Sequence, residues 1–415
     1  MGKIPNDCFA APEEMITTEE AIAQIKHSLC PVTEIETISL DTAVGRILAK
    51  DIKAPCSLPP FNNSAVDGYA FKLTGDHQPL QLIGRSAAGS PFGKPIEEGE
   101  CVKIFTGAII PDGADTVAML EDCKLDGELV SPPPNLQINS NIRKAGEDIN
   151  EGETVLKSGT RLRPMEIARL ASLGYATVAV FQKLKVGILS TGDELTEPGK
   201  RLAIGQIYDS NRYLLKTLFK KLGAEVIDFG IIKDNPKSLQ QTLSTAAKNC
   251  HMIISSGGIS TGDEDHVKQS VQKLGKLDFW RIAIKPGRPL ALGTIDDSVF
   301  LGLPGNPVAA LVCTVNFGFA IANRLMRGDA GRPVPGVTLP AAFEMEKKAG
   351  RREWLRGRYI TTQDGITGVK AYHSTGSSLI SSLTWANGLI EIPEEITEIK
   401  EGMQVRFIPF GELFE

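Results

Sequence analysis

The sequence lacks the marks of a membrane, secreted or zinc-binding protein. Its 415 residues contain no obvious run of about 18 apolar residues, the length that a transmembrane helix needs. The amino-terminal segment has no apolar signal-peptide core. The seven cysteines are dispersed and form no C-x-x-C pair, so we expect neither a zinc site nor a dithiol centre. The scattered thiols indicate a reduced, cytoplasmic protein, and the lack of a long apolar run predicts no membrane partner.

The chain also lacks a strong excess of charge of either sign. The formal net charge is -5, which argues against a nucleic-acid-binding protein held by bulk electrostatics. Neither a Walker loop nor a G-x-G-x-x-G fingerprint is present, and this counts against a generic nucleotide-binding enzyme. The composition, 42% hydrophobic and 23% charged, is that of an ordinary globular protein, and the length predicts several domains.

Three stretches with different residue patterns follow one another along the chain. Between residues 51 and 145, short β-like runs alternate with Pro- and Gly-rich turns, which predicts a β-rich domain. From 183 to 331, apolar strands alternate with amphipathic helices, which predicts a three-layer α/β/α domain with a mainly parallel sheet. From 332 to 415 the pattern is again that of strands, and we expect a small β-barrel there.

Helix signals mark several boundaries. Thr17 and Glu20 have the spacing of a capping box, so a helix is expected over 17–29. The other expected helices begin at Asp41, Pro164, Ser210, Pro236 and Pro307.

Polar, glycine-containing loops follow the predicted strands of the α/β segment. In such sheets ligands bind beyond the carboxyl ends of the strands. The loop Thr191-Gly192-Asp193-Glu194 offers backbone N–H groups and carboxylates that could hold a metal ion or a ribose hydroxyl. An ordinary strand–helix turn with capping acids explains the same loop equally well.

The loop around Gly257 is more specific. Gly257 and Gly258, flanked by hydroxyl residues such as Ser256, have the pattern of a phosphate-binding nest. The acids from Asp263 to Asp265 favour a helix dipole, yet three carboxylates beside a phosphate loop would repel the ligand. A bound divalent cation would resolve that conflict.

Two proline-flanked turns complete this set of loops. The run from Lys285 to Arg288 places two cations around a rigid turn, for which solvated surface charge and oxyanion binding are the alternatives. The run from Pro304 to Pro307 precedes a helix with free N–H donors, although turn chemistry alone also explains it. We conclude that residues 183–331 bind an anionic, phosphate-bearing small molecule.

Seven short segments, taken together, carry a family resemblance. They are PPFNNSAVDGYA, TGAIIPDGADTV, AGEDI, STGDEL, SSGGISTGDED, IAIKPGRP and GLPGNPV, in this order. With them the chain resembles the MoeA family, which includes the E domain of gephyrin, over nearly its whole length. GRREWLRGRY, near the carboxyl terminus, fits the family more loosely.

The resemblance implies an enzyme that inserts molybdate into adenylylated molybdopterin and releases AMP, with Mg²⁺ in support. It also implies an elongated homodimer of four-domain subunits, in which residues 1–50 and 146–182 form a discontinuous linker and dimerisation domain. The active site would lie between the α/β domain of one subunit and residues 51–145 of the other. Transient partners would be the molybdopterin adenylyltransferase and molybdoenzyme chaperones.

The resemblance also assigns roles to residues. The Gly-rich and TGDE loops would bind the pterin phosphate and the adenylate, and the cations of the 281–288 segment would attract molybdate. The expected catalytic residues are Asn62, Thr106, Asp148, Glu194, Asp265 and Lys285. The expected substrate-binding residues are Thr191, Gly192, Asp193, Ser256, Gly257, Gly258, Arg281, Arg288, Pro304 and Pro307. The expected Mg²⁺ ligands are Glu194, Asp234 and Asp265.

Two positions depart from the family pattern. Asn62 stands where the family usually has Asp, so a negative charge is lost and a hydrogen-bond donor gained, and Asn63 could take over part of the role. Ala309 stands where the family often has Ser or Thr. Two alternatives to the transferase therefore stay open: a molybdopterin-binding paralogue with altered metal choice or drifted activity, and a binding scaffold. The scaffold is the weaker alternative because the chain has no long disordered linker.

Overall fold

The computed structural model describes residues 15–75, 78–258, 266–287, 289–327, 336–363 and 365–411. Two compact units divide the chain. Residues 37–179 form one unit, and residues up to 36 together with 180–415 form the other.

The helices and strands have the following bounds. The α-helices are α1 (Thr18–Ser28), α2 (Pro164–Ser172), α3 (Asn211–Lys221), α4 (Pro236–Asn249), α5 (His266–Leu274), α6 (Pro307–Cys313), α7 (Phe319–Arg327) and α8 (Ser381–Trp385). Short 3-10 turns lie at Leu40–Thr42 and Leu120–Asp122, and a π turn at Thr314–Gly318 joins α6 to α7. The strands up to residue 181 are β1 (Ile35–Ser39), β2 (Ile52–Lys53), β3 (Asn63–Ser64), β4 (Gly68–Phe71), β5 (Leu80–Ser86), β6 (Glu100–Ile104), β7 (Thr116–Met119), β8 (Lys124–Asp126), β9 (Leu129–Ser131), β10 (Ile142–Arg143), β11 (Thr154–Leu156) and β12 (Thr177–Phe181). Those from 185 to 303 are β13 (Lys185–Thr191), β14 (Leu195–Thr196), β15 (Ile207–Tyr208), β16 (Glu225–Ile232), β17 (Met252–Ser256), β18 (Gly275–Arg281), β19 (Ile284–Lys285), β20 (Pro289–Ile295) and β21 (Ser298–Leu303). The last are β22 (Val337–Pro340), β23 (Met345–Glu346), β24 (Arg352–Thr362), β25 (Gly365–Ala371), β26 (Gly388–Ile392), β27 (Glu398–Ile399) and β28 (Gln404–Pro409).

Most helices begin where the sequence predicts. The Thr17 hydroxyl accepts from the Glu20 N–H at 3.2 Å, and the Glu20 carboxylate accepts from the Thr17 N–H at 2.7 Å, so the capping box is present. The Asn235 side chain accepts from the Lys237 N–H at 3.0 Å and so caps α4.

The short helix expected near Asp41 is limited to one 3-10 turn. Only the 3-10 turn Leu40–Thr42 forms there. The backbone then pairs elsewhere, because the Gly45 N–H donates to the Leu162 carbonyl at 2.7 Å. A helix continuing past this point would lose that long-range hydrogen bond.

The unit of residues 37–179 is built on a six-stranded sheet with the order β7-β4-β6-β5-β9-β8. Every residue of β4 is buried because both of its faces are covered. Tyr69 and Phe71 contribute to the apolar cluster on one face, and Ala70 and Val117 contribute to the cluster on the other. The predicted β-rich domain is therefore present.

A second six-stranded sheet, in the order β16-β13-β17-β21-β20-β18, forms the centre of the other unit. The first four strands are parallel, and β20 and β18 each run antiparallel to their neighbour. All described side chains of β17 and β21 are buried. The mainly parallel sheet predicted from the apolar runs is confirmed. The next strand along the chain after β18, β19, lies outside this sheet and pairs with β24.

Helices cover both faces of the parallel sheet. Phe300 lies on one face in a cluster with Leu243 of α4 and Val271 of α5. On the other face, Phe219 of α3 contacts Phe319 of α7 edge to face, with ring centroids 5.8 Å apart. The result is the predicted three-layer arrangement.

Residues 336–411 close a small barrel. The strand order is β19-β24-β26-β28-β22, and β25 pairs with the other part of β24. The sheet closes through a bridge between Ala341, just after β22, and Val369 of β25. Phe407, Ile390 and Leu355 fill its interior.

One helical segment, Pro307–Met326, is long and apolar enough by length and composition to cross a membrane, although Asn316, Asn323 and Arg324 interrupt it. The segment is 83% buried within the protein. It packs against α1 and the chain that follows α1. There the Val32 N–H donates to the Leu325 carbonyl at 2.8 Å. Length and apolarity of this kind are typical of a core helix.

A half-buried histidine supplies a prediction for stability. His251 Nδ1 accepts from the Lys185 N–H at 3.1 Å, which requires an unprotonated nitrogen. Burial and the charge of Lys185 lower the pKa of His251 from its usual 6.5, and Glu225 opposes them. Above about pH 6.5 this group leaves stability unchanged. As the pH falls through that value, the unfolded chain binds a proton that the folded chain does not, so stability decreases.

The check is the urea midpoint from about pH 8 to about pH 5.5, a range that spans the histidine titration. His251→Asn keeps a hydrogen-bond acceptor that does not titrate, so its midpoint should decrease less with acidification than that of the unsubstituted protein. Equal slopes for the two proteins would contradict this account.

Candidate functional site

The ends of the parallel strands meet in one row. Ser190 of β13 lies opposite Ser256 of β17, and Ser256 lies opposite Leu303 of β21. The loops that begin at Thr191, Gly257 and Pro304 therefore leave the sheet at the same edge. This edge brings together most of the predicted substrate-binding residues: Thr191, Gly192, Asp193, Ser256, Gly257, Gly258, Pro304 and Pro307.

The two glycines of the central loop are required by close approach. The Gly257 N–H donates to the Leu303 carbonyl at 3.2 Å, which ties this loop to β21. Gly258 has φ +68, and a Cβ there would lie 2.5 Å from both Thr191 Oγ1 and Val267 Cγ2. A side chain at this position would thus push two loops apart. Residues Ile259 to Asp265, including the predicted Asp265, lie outside the described residues.

Asn211, at the start of α3, links the loops and was missed by sequence reasoning. Its Nδ2 donates to Ser256 Oγ at 2.8 Å and to the Gly305 carbonyl at 2.7 Å. The polar run Asp209-Ser210-Asn211 was the available signal, but it is equally typical of an ordinary helix start. The amide fixes the second and third loops relative to each other.

Three buried polar atoms at this edge have no hydrogen-bond partner among the described residues. They are Ser190 Oγ, Thr191 Oγ1 and Asn211 Oδ1. Their residues are between 1% and 7% exposed. An unsatisfied buried polar atom is destabilising, so each atom is suited to a polar group of a ligand.

The TGDE loop presents its acids to solvent. Gly192 has φ +141, and a Cβ there would lie 2.3 Å from the Glu194 carboxylate, so the carboxylate folds back over the glycine. Asp193 accepts from the Asp234 N–H at 3.3 Å, which joins the loops after β13 and β16. Within the described part of the chain, no three His, Cys, Asp or Glu residues form a group that could hold a metal ion. The expected metal triad includes Asp265, so this finding does not bear on it.

A buried arginine anchors the chain that follows the TGDE loop. Arg212 is 3% exposed and donates to Asp209 at 2.9 Å, to Asp228 at 2.6 and 2.7 Å, and to Glu197. Burial alone would raise the pKa of Asp228, but hydrogen bonds from Lys216 and Arg212 lower it overall. The network holds residues 195–209 against β16. It joins acids 15 and 16 residues distant from Arg212, so no motif indicated it.

The predicted cations lie in different surroundings. Lys285 Nζ lies 3.2 and 3.3 Å from the two carboxylate oxygens of Glu353, and its side chain is 38% exposed. Arg281 is exposed, and its carbonyl accepts from the Ile16 N–H at 3.0 Å. Arg288 lies outside the described residues. Simple solvated charge is therefore the wrong interpretation for Lys285, which is held in an ion pair.

The barrel domain contributes a loop to the start of α6. The Val308 N–H donates to the Ser377 carbonyl at 3.0 Å, and Asn306 Nδ2 donates to Ser377 Oγ at 3.1 Å. The expectation that the first N–H groups of this helix are free is thus wrong for Val308. Arg356, only 1% exposed, holds the same loop by donating to the Gly376 carbonyl at 3.2 Å.

The three motifs of the unit of residues 37–179 also converge. Asn62 Oδ1 accepts from the Ala145 N–H at 2.9 Å. The Gly107 N–H donates to the Ser64 carbonyl at 2.8 Å, and the Asp148 N–H donates to the Leu58 carbonyl at 3.1 Å. The predicted residues Asn62, Thr106 and Asp148 are exposed on this cluster of loops.

Asp67 orders the loop that carries Thr106, and it was not among the predicted site residues. Its carboxylate accepts from the Thr106 N–H at 2.7 Å and from the Thr106 hydroxyl at 2.8 Å. These hydrogen bonds and the charge of Lys103 lower the pKa of Asp67. An ionised Asp67 therefore fixes the direction of the Thr106 side chain.

Comparisons with known proteins match nearly the whole chain. Residues 16–174 match the MoeA N-terminal region (domain I and II), residues 187–323 a probable molybdopterin binding domain, and residues 338–410 the MoeA C-terminal region (domain IV). These matches fall on the β-rich unit, the parallel sheet and the barrel.

Relatives and solved structures agree with these matches. A molybdopterin molybdenumtransferase of Haemophilus influenzae is 39% identical over 406 residues, covering 96% of this chain and 100% of the relative. One of Nostoc is 34% identical, with 94% and 92% covered. The crystal structure of a molybdopterin biosynthesis moeA protein from Pyrococcus horikoshii superimposes with a TM-score of 0.82 at 29% identity, with 95% and 99% covered. The chain therefore belongs to the MoeA family.

Proposed function

We propose that this chain is a molybdopterin molybdenumtransferase that inserts molybdate into adenylylated molybdopterin and releases AMP. The observation that carries the proposal is the row Ser190–Ser256–Leu303, which gathers the family's loops at one sheet edge. The family relatives named for this activity, identical at 34–39% over nearly the whole chain, support it.

The phosphate groups of the substrate would lie on the glycine-rich loop. Gly257 and Gly258 allow a ligand to approach the backbone closely, because neither carries a side chain and both have positive φ. The unpartnered hydroxyls of Ser190 and Thr191 would donate to ligand oxygens. Asp193, Pro304 and Pro307 would border this pocket. Ala309 has no hydroxyl, so the oxyanion would be hydrogen-bonded by Ser190 and Thr191 and not by this position.

Molybdate, a dianion, would be attracted by Lys285, Arg281 and Arg288. The ammonium of Lys285 is held by Glu353 yet partly exposed, so it can hydrogen-bond an oxyanion. Because this chain would supply positioning and electrostatics, no protein nucleophile is required.

Mg²⁺ would be held by Glu194, Asp234 and Asp265. Glu194 and Asp234, the two members that the structure describes, fit this role because Mg²⁺ prefers carboxylate oxygens as ligands. The loops that carry them are joined by the hydrogen bond from the Asp234 N–H to Asp193. The ion would neutralise charge as the phosphoanhydride is broken.

The remaining proposed residues, Asn62, Thr106 and Asp148, would come from a second copy of the chain in a homodimer. Residues 1–50 with 146–182 would form its dimerisation domain, with 51–145, 183–331 and 332–415 as the others. Asn62 accepts from a backbone N–H, a bond that an Asp carboxylate would make equally, so the Asn keeps the loop in place. Hence this departure does not by itself favour a drifted paralogue. We place the enzyme in the cytoplasm, in transient contact with the adenylyltransferase and molybdoenzyme chaperones.

The glycine loop yields a matched pair of variants. Gly258→Ala and Gly402→Ala both place alanine at positive φ, but only Gly258→Ala creates a steric clash, since nothing lies within 4 Å at Gly402. Gly402→Ala should lower stability by about 1–2 kcal/mol from the backbone conformation alone, and Gly258→Ala by at least that much. Turnover should fall at least roughly 10-fold in Gly258→Ala alone, because the loop is displaced. Melting curves and AMP release measure the two effects, and equal activities in the pair would count against the phosphate loop.

Mixed dimers test the shared site. Thr106→Ala and Lys285→Ala homodimers should each be strongly impaired in AMP release. Co-expression should restore about a quarter of the wild-type rate, because random pairing gives half mixed dimers with one of two sites intact. Mixed dimers isolated by two affinity tags without any recovered activity would place both residues in the same-chain site.

AMP release is the test of the proposed function. Purified protein with adenylylated molybdopterin, molybdate and Mg²⁺ should release AMP in a molybdate-dependent reaction, followed by chromatography. Release by Asn62→Asp but not by the natural sequence would indicate a drifted paralogue. Absence of release from both would overturn the enzyme assignment.

A further inference from the structure

Glu353 is a buried carboxylate that has Lys285 as its ion-pair partner. It lies on β24 and is 3% exposed. Both of its oxygens lie within hydrogen-bond distance of Lys285 Nζ, at 3.2 and 3.3 Å. Among the described residues, Lys347 also interacts with it electrostatically, but forms no ion pair with it. A charge this deeply buried is normally retained only when it is paired.

The backbone on both sides of Lys285 is fixed independently of this ion pair. β19 runs parallel to β24, with Lys285 opposite Glu353, and the Arg352 N–H donates to the Ala283 carbonyl at 2.8 Å. On the other side, a Cβ at Gly287 would lie 2.5 Å from Cys313 Sγ in α6, so the turn packs tightly on that helix. The four-carbon stem of Lys285 is therefore the part that remains free to move.

A lysine stem has many rotamers, and an ammonium held by one carboxylate loses most of them. One ammonium carries three N–H donors, so a donor remains for a ligand after the ion pair forms. The 38% exposure of the side chain agrees with such a free donor. Glu353 thus determines where that donor points.

We propose that Glu353 is a positioning residue that holds the Lys285 ammonium in the orientation needed to bind an oxyanion at the reaction centre. This inference rests on the proposed function, in which Lys285 attracts molybdate. The negative charge of Glu353 weakens the attraction of Lys285 for a dianion, so its benefit lies in orientation. Removing it should lower kcat without raising the KM for molybdate.

A purely structural role makes a different prediction. The ion pair joins the α/β chain segment to the barrel sheet, so Glu353 could simply hold the two together. In that case its removal would lower the melting temperature and impair both substrates in proportion.

The main variant is Glu353→Gln, which keeps the shape and removes the charge. Glu394→Gln is the matched control, because Glu394 is also a partly buried acid of this barrel, but it pairs with Arg352 at 3.0 Å. Glu353→Asp keeps the charge and withdraws it by one methylene, which separates orientation from charge. AMP release is measured as a function of molybdate concentration, together with melting.

We expect kcat to fall roughly 10- to 100-fold in Glu353→Gln and to fall also in Glu353→Asp, with the KM for molybdate unchanged or lower. Glu394→Gln should retain the wild-type kcat. In a Lys285→Ala background, Glu353→Gln should cause no further loss, because the residue acts through the lysine. A kcat equal to wild type, or an equal further loss without Lys285, would overturn the proposal.

A second measurement is independent of turnover. The acetylation rate of Lys285 by an amine-reactive ester, followed by peptide mass spectrometry, should rise in Glu353→Gln and stay at the wild-type value in Glu394→Gln. If the wild type releases no AMP, the proposed function fails while this measurement still tests the restraint of the lysine. An acetylation rate that is unchanged by Glu353→Gln would show that Glu353 does not position Lys285.

Discussion

The parallel register of β13, β17 and β21 is the constraint on which the rest of the site depends. It places Ser190, Ser256 and Leu303 side by side, so three loops distant in sequence leave the sheet together. The close approach of Gly258 to Thr191 then allows no side chain between the first two loops. A one-residue slip in either strand pair would turn the polar side chains away from this edge.

Polar contacts between residues far apart in the sequence keep the loops after β13, β17 and β21 in place. Asn211 fixes the second loop to the third, Arg212 holds the chain after the first, and Ser377 of the barrel domain accepts from the start of α6. Each contact uses a buried side chain or a backbone group, where a hydrogen bond is well screened from water. The site is thus a rigid assembly in which a ligand would satisfy the atoms that the protein leaves unpaired. Such preorganisation suits a reaction that depends on charge stabilisation.

The alternation of apolar strands and helices allowed the three-layer domain and its strand-end loops to be predicted, because burial on both faces leaves a strong pattern. Position in the sequence could not reveal Asn211, Arg212 or Glu353 as important. Apart from Asp209, which lies three residues from Arg212, their partners lie 15 to 94 residues away, and only the folded chain brings them close. The short helix near Asp41 stays a single 3-10 turn for the same reason, since Gly45 then donates to the distant Leu162 carbonyl. The cap at Thr17 was predictable because its one partner, Glu20, lies only three residues away.

Hydrogen–deuterium exchange with and without saturating AMP tests most directly the claim that the strand ends form the substrate site. We predict slower exchange in peptides covering 190–194, 255–258 and 303–308, because bound phosphate would use or shield their backbone N–H groups. Peptides at the opposite edge of the same sheet, 183–185, 250–252 and 297–299, should exchange at unchanged rates. Protection confined to that opposite edge, or no protection at the strand ends, would contradict the account.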